Sequence, residues 1–187
     1  MVIVKLVEVI HDFHAFLYTR DNQTELCIRA HGWQNKIIRD GVYLDAFELS
    51  KIIKGWKERY DRLCIVSCYS TFLEPSNLSR RLSDTNHSYQ NTLGCWLSRH
   101  IPNVNVISFI GTVISNYDMK QVWDMYNDPF LGKDLLEFLL RDFRIRSTPS
   151  MNDLDSNPLR FVQFRNGLPF SQWGRTITIN GNTYAQL

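Results

Sequence analysis

The sequence predicts an α/β protein of three layers, with a mostly parallel central sheet flanked by helices and a β-hairpin extension at the C-terminal end. Three observations carry that expectation. Two short apolar runs, Leu26-Cys27-Ile28-Arg29-Ala30 and Leu63-Cys64-Ile65-Val66-Ser67, are separated by an amphipathic stretch from about Leu44 to Tyr60. Strand, crossover helix and strand in that order place both strands parallel in one sheet, with their C-terminal ends on one edge. A further buried-strand pattern runs from Asn103 to Val113, and Asn180-Gly181 between two alternating runs is a strong hairpin signal.

Composition sets the outer limits. The 187 residues are 44% hydrophobic and 21% charged, which fits one substantial core and one domain over 1–187, its core about 1–146 and its β extension about 158–187. The net charge of +2 comes without a Lys/Arg run, so no nucleic-acid partner is expected. No apolar run approaches the roughly 20 residues that span a bilayer, and Val2 to Ile10, interrupted by Lys5 and Glu8, lacks a signal-peptide layout. The four cysteines form no CxxC, and Cys27 and Cys64 sit inside apolar runs. These features point to a reducing, cytoplasmic setting without a disulfide framework.

Taken in order, Val2 to Ile10, Ala15 to Tyr18 and Glu25 to Ala30 read as three short strands separated by polar turns. Ile37 to Leu44 reads as a small hairpin closed at Asp40-Gly41. Asp45 is an N-cap with Glu48 in the capping-box position, and Phe47, Leu49, Ile52, Ile53 and Trp56 form the apolar face of the helix it starts. Thr71 to Asn91 is polar and reads as a substrate-facing loop. Leu93, Trp96 and Leu97 mark a second helix ending near His100, and Asp118 to Asn127 and Asp128 to Phe143 read as two more. Ser147 to Pro158 is a connector rich in Ser, Pro, Asn and Asp, and Phe161 to Phe164 begins the tail.

The chemistry-bearing residues stand at the ends of the two central runs. His31 follows the first and Cys68 the second. Neighbouring strands lie about 4.8 Å apart, so an imidazole and a thiol just beyond them can meet across one substrate carbonyl. The thiol needs a base to become a nucleophile, which His31 would supply. Gly32, lacking a side chain, lets its backbone N–H approach a carbonyl oxygen, and with the Cys68 N–H it forms a candidate oxyanion hole. His11 and His14 have no recognisable metal-ligand spacing, and the glycines form no phosphate-binding motif, so neither a metal nor a cofactor is expected. The absence of a Gly-x-Ser-x-Gly elbow argues against a serine hydrolase.

Apolar strand, His31-Gly32, hairpin, amphipathic helix, apolar strand and Cys68, in that order, resemble the caspase-like cysteine peptidases. That group includes caspases, legumain, gingipain, clostripain, separase and the autoprocessing domains of bacterial toxins. The resemblance covers roughly residues 1 to 115. It implies a His31–Cys68 dyad that hydrolyses peptide bonds of a protein or peptide substrate. It also implies a bacterial effector or toxin-type protease working in the cytoplasm or in a reducing host cytosol. Arg29 inside the strand before His31, and Tyr69-Ser70 after Cys68, depart from caspases proper, so no aspartate-specific basic pocket is carried over. Two rival expectations stand beside it. One is a non-catalytic binding or adhesion module of the same fold, meeting a partner through Phe161, Phe164, Phe170, Trp173 and Tyr184. The other keeps the dyad but directs its thioester chemistry to deamidation or transfer.

Overall fold

The computed structural model describes residues 2–20, 22–71, 89–115, 118–130, 145–148, 161–171, 175–179 and 182–186. Three strands open the chain, β1 (Val2–Ile10), β2 (Phe13–Arg20) and β3 (Gln23–Ala30), and they pair as an antiparallel meander because their connections are too short for a crossover. β4 (Gly32–Trp33), β5 (Lys36–Arg39) and β6 (Val42–Leu44) form a small antiparallel sheet of their own. Its second turn is Asp40-Gly41, with φ of 52° and 72°, the left-handed pair that a tight hairpin demands. The Asp12 carboxylate accepts both amides of that turn, at 2.7 and 2.8 Å, and so ties the ribbon to the β1–β2 connection.

Helix α1 (Ala46–Gly55) starts at the expected capping box. Asp45 accepts from the Glu48 N–H, and the Glu48 carboxylate accepts from the Asp45 N–H, each at 2.9 Å. Strand β7 (Arg62–Val66) then pairs parallel with β3, Leu26 opposite Leu63 and Arg29 opposite Val66. Helix α2 (Leu93–His100), capped by Thr92, leads to β8 (Asn105–Phe109), which pairs parallel with β7. Next come β9 (Thr112–Ser115) and helix α3 (Met119–Tyr126), capped by Asp118. The remaining strands are β10 (Ile145–Thr148), β11 (Phe161–Arg165), β12 (Leu168–Ser171), β13 (Arg175–Ile179) and β14 (Asn182–Gln186).

The central sheet has seven strands in the order β1-β2-β3-β7-β8-β11-β12. It corrects the expectation of a mostly parallel sheet. Only β3–β7 and β7–β8 are parallel, and the other four junctions are antiparallel. The apolar pattern of a buried strand is the same in either direction, and β11, expected in the C-terminal extension, instead runs antiparallel beside β8 with Phe161 opposite Phe109. The β13–β14 hairpin does form, although its Asn180-Gly181 turn lies outside the described residues. Also outside them are 72–88 of the polar loop, 131–144 of the expected fourth helix, 149–160 of the connector, and Trp173.

Side-chain alternation divides the core into two. Leu26, Ile28 and Ala30 of β3, with Leu63 and Ile65 of β7, pack under Leu49 and Ile53 of α1 and Leu93 and Leu97 of α2. Cys27, Cys64, Val66, Ile107 and Phe109 point to the opposite face, where Val122 and Trp123 of α3 lie. The helices therefore stand on both sides of the sheet. Two expected core residues do not join them: Phe47 is 50% exposed beneath the Lys51 ammonium, and Trp96 is 40% exposed with the Arg99 guanidinium over its ring. Phe161 and Phe164, expected to meet a partner in the binding-module reading, are buried in the sheet.

Candidate active site

His31 and Cys68 emerge from the same edge of the sheet, because β3 and β7 are adjacent, parallel and in register through Arg29 and Val66. Beyond that register the two segments stay in contact. A Cβ on Gly32 would overlap Ser67 Oγ and stand 2.8 Å from the carbonyl oxygens of both Cys68 and Lys36. Glycine is required there because no side chain fits between the ribbon and the Cys68 loop. The Trp33 ring packs edge-on against Tyr69 at 5.5 Å, and the Asn35 N–H donates to the Tyr69 carbonyl at 3.0 Å.

The Cys68 loop is fixed on its other side by β8 and the start of β9. The Tyr69 N–H donates to the Gly111 carbonyl and the Thr71 N–H to the Phe109 carbonyl, at 2.9 and 2.8 Å. Ser70 Oγ accepts from the Phe109 N–H at 2.9 Å, and the Thr71 hydroxyl donates to Ser108 Oγ at 2.7 Å. These bonds explain why β8 ends at Phe109 although the apolar pattern runs on to Val113: its backbone groups on that side are taken by the loop. Tyr69 holds a left-handed φ of 52°, the sharp bend that turns the chain after Cys68.

Two backbone donors at this junction have no role in the ladders. The Ile38 N–H donates to the His31 carbonyl at 2.8 Å, which makes Gly32 and Ile37 a non-hydrogen-bonded pair and leaves the Gly32 N–H outside the β4–β5 ladder. Among the described residues, the Cys68 N–H makes no backbone hydrogen bond outside the helices and strands either. Both N–H groups proposed from the sequence as oxyanion donors are thus unused by these ladders.

Cys68 is the one cysteine of the four that is not buried. Burial pushes the thiols of Cys27 and Cys95 up from their ordinary value, as expected for inert core thiols. The Cys68 sulfur donates to the Val113 carbonyl at 3.4 Å and accepts from the Val113 N–H at 3.3 Å. In this conformation its hydrogen bonds run toward β9, and among the described residues none joins it to His31. Val113 carries no signal in the sequence that would have assigned it this role.

His31 is exposed and lines a cleft of about 320 Å3 together with His11, Arg29, Ser115, Asp118 and Lys120. Arg29 is the anomaly that the sequence displayed as a charge inside a strand. Its Nε donates to Ser115 Oγ at 2.9 Å and its Nη1 to the Ala30 carbonyl at 3.3 Å. A second cleft, of about 420 Å3, lies between the ribbon and α2 and includes Asn35, Asp45, Phe47, Trp96 and His100. Among the described residues no group of three His, Cys, Asp or Glu side chains could hold a metal ion, and no helix is long and apolar enough to cross a membrane. No protein-family model matches this chain, no curated protein is similar to it, and no solved structure matches its fold.

Proposed function

We propose that the chain is a cysteine peptidase of the caspase-like type, with Cys68 as nucleophile and His31 as acid and base. The observation that carries the reading is the in-register parallel pairing of β3 and β7, which sends His31-Gly32 and Cys68 off the same sheet edge with Gly32 against the Cys68 carbonyl. The reaction begins when the half-buried Cys68 sulfur exchanges its Val113 partner for the substrate. The sulfur attacks the scissile carbonyl carbon while the thiol proton passes to His31. The carbonyl oxygen takes up the displaced electron pair and accepts from the N–H groups of Gly32 and Cys68. Each such donor is typically worth about 3 kcal/mol of transition-state stabilisation. Collapse breaks the C–N bond, and the amine leaves with the proton from His31. Water, deprotonated by His31, then hydrolyses the thioester and restores the thiol.

A peptide-library digestion tests this directly. The wild-type chain cleaves a subset of peptides, Cys68→Ala cleaves none while unfolding at the same urea concentration, and cleavage persisting in that variant overturns the assignment. A mass shift of about one dalton without fragments would turn the same thioester chemistry toward deamidation. The second reading, a non-catalytic binding module, draws on the hydrogen bonds of the thiol to Val113, which engage it with the β9 backbone. Alkylation of Cys68 no faster than that of the buried cysteines would favour it.

A further inference from the structure

The cleft of about 420 Å3 between the ribbon and α2 brings together rings, carboxamides and cations, and its size suits a small ligand. Phe47 of α1 with His100 and Trp96 of α2 make a continuous aromatic strip. The Phe47 and His100 ring centroids are 5.5 Å apart, and those of His100 and Trp96 are 6.3 Å apart with the planes only 24° from parallel. Phe47 and Trp96 nevertheless stay 50% and 40% exposed. Gln34, Asn35 and Asn91 bring carboxamides to the same cleft. The Gln34-Asn35 turn is preset: both residues hold a left-handed φ, 46° and 64°, and Asn35 is tied to the Tyr69 carbonyl by its N–H and to the Leu93 N–H by its Oδ1, at 3.0 and 3.3 Å. Lys36 lines the cleft as well, while the Lys51 ammonium stands 4.0 Å over the Phe47 ring and the Arg99 guanidinium 4.4 Å over that of Trp96. All three cations are exposed, and among the described residues none pairs with a carboxylate. The one carboxylate lining the cleft, that of Asp45, is engaged as the cap of α1. Because these cations come from β5, α1 and α2, no basic run marks them in the sequence.

We propose that this cleft binds a nucleoside monophosphate unit, either a free nucleotide or one residue of a single strand. The base stacks on the strip of Phe47, His100 and Trp96, the carboxamides meet the donors and acceptors of its edge, and the phosphate draws on Lys36, Lys51 and Arg99. Stacking asks only for a flat π-face, and a carboxamide carries both a donor and an acceptor, as base edges do. The phosphate supplies the cations with an anion through charge-assisted bonds. The ligand class follows from the combination. An apolar side chain would leave the carboxamides and the cations unused, and a neutral sugar would leave the cations unused, whereas a nucleotide engages all three kinds of group. The cleft includes neither His31 nor Cys68, so the site stands or falls apart from the peptidase reading.

The test titrates the intact chain with the four common ribonucleoside 5′-monophosphates, their nucleosides and inorganic phosphate at one ionic strength, by calorimetry, with the Trp96 indole and the His100 imidazole followed by NMR. At least one monophosphate should bind and shift both resonances. It should bind about tenfold more tightly than its nucleoside, the difference between a charge-assisted and an ordinary hydrogen-bonded contact, and more tightly than inorganic phosphate. Trp96→Leu should weaken its binding about tenfold, the scale of one base–aromatic stack. Lys36→Gln should weaken the monophosphate and leave the nucleoside as it was. Lys120→Gln, which removes the same charge at the other cleft, should leave both unchanged. Tighter binding of a homohexanucleotide than of its monophosphate assigns the site to a single strand, and equal or weaker binding assigns it to a free nucleotide. Binding of none of the four overturns the proposal, as does equal affinity for monophosphate and nucleoside, inorganic phosphate binding as tightly as the monophosphate, or wild-type binding by Trp96→Leu. Equal weakening by Lys36→Gln and Lys120→Gln overturns it too. Trp96 and Lys36 are both exposed, so the fold should survive their replacement. If Trp96→Leu does not fold, Lys36→Gln decides, and unchanged monophosphate binding there overturns the site.

Discussion

Glu25 and Arg29 lie on the same face of β3, at opposite ends, and their surroundings differ in kind. Glu25 is closed in: the Arg62 guanidinium and the Tyr18 hydroxyl both bind its carboxylate, and burial with the nearby Cys64, Cys27 and Glu25 raises Tyr18 well above its ordinary range. Arg29 borders a cleft, and among the described residues its hydrogen bonds go to neutral acceptors. The first arrangement meets a buried charge with an opposite one, whereas among the described residues the second meets its charge with neutral dipoles. The ends also correspond to the two edges of the parallel strands, and the open one is the edge from which His31 and Cys68 emerge, where ligands of α/β sheets bind.

The comparison breaks most easily at the closed end. Glu25→Ala strands Arg62 and Tyr18 and should lower stability by about 3 to 5 kcal/mol in urea denaturation, the cost of removing one partner from a buried pair. A loss below about 1 kcal/mol, the scale of an exposed ion pair, would mean that Glu25 is not the structural charge described.

The next effect is on pH dependence at His14, which sits across from Arg29 on β2. Its pKa falls from 6.5 to about 4 in the folded chain. Between these values the unfolded chain binds the proton and the folded chain does not. Stability is therefore complete above pH 6.5 and is lost as pH falls toward 4, by about 3 kcal/mol in all. Replacing His14 by Leu should flatten this part of the stability profile, and an unchanged slope would assign it to other groups.

Gly32→Ala probes the junction itself. The added methyl meets two carbonyl oxygens and Ser67 Oγ, and overpacking of this kind costs about 1 to 3 kcal/mol. It should also move the Cys68 loop, visible as altered amide shifts at Tyr69 and Asn35. Arg29→Met should have the smallest effect on stability, within about 1 kcal/mol of wild type, since apolar replacement of a buried ion is often neutral or favourable. The histidine at position 14 should then titrate closer to its ordinary value because the cation beside it is gone. A loss as large as that of Glu25→Ala would make Arg29 structural and erase the contrast.

Local chemistry made much of this legible in advance. The Asp45–Glu48 capping box, the Asp40-Gly41 hairpin and the three opening strands with their short connections all rest on residues close in sequence. Sheet direction was less legible. Phe161 to Phe164 would bury its rings equally well in either orientation, and the structure runs it antiparallel beside β8. Phe47 and Trp96 fit a helical apolar stripe, yet they remain half-exposed at a cleft because the ribbon and α2 do not close over them. In the candidate site, His31, Gly32 and Cys68 could be read from strand ends. Val113 and Ser115 could not, because their contacts with Cys68 and Arg29 are made across long sequence separations.

Coupling between Cys68 and His31 is the claim on which the functional account depends. The rate of iodoacetamide labelling at each cysteine, followed by peptide mass spectrometry from pH 5 to 9 in wild type and in His31→Ala, measures it most directly. Exposure alone would make Cys68 the fastest of the four, so the decisive quantity is the pH profile. The account predicts that the Cys68 profile changes when His31 is removed while those of Cys27, Cys64 and Cys95 stay as they were. Superimposable Cys68 profiles in the two proteins would contradict it.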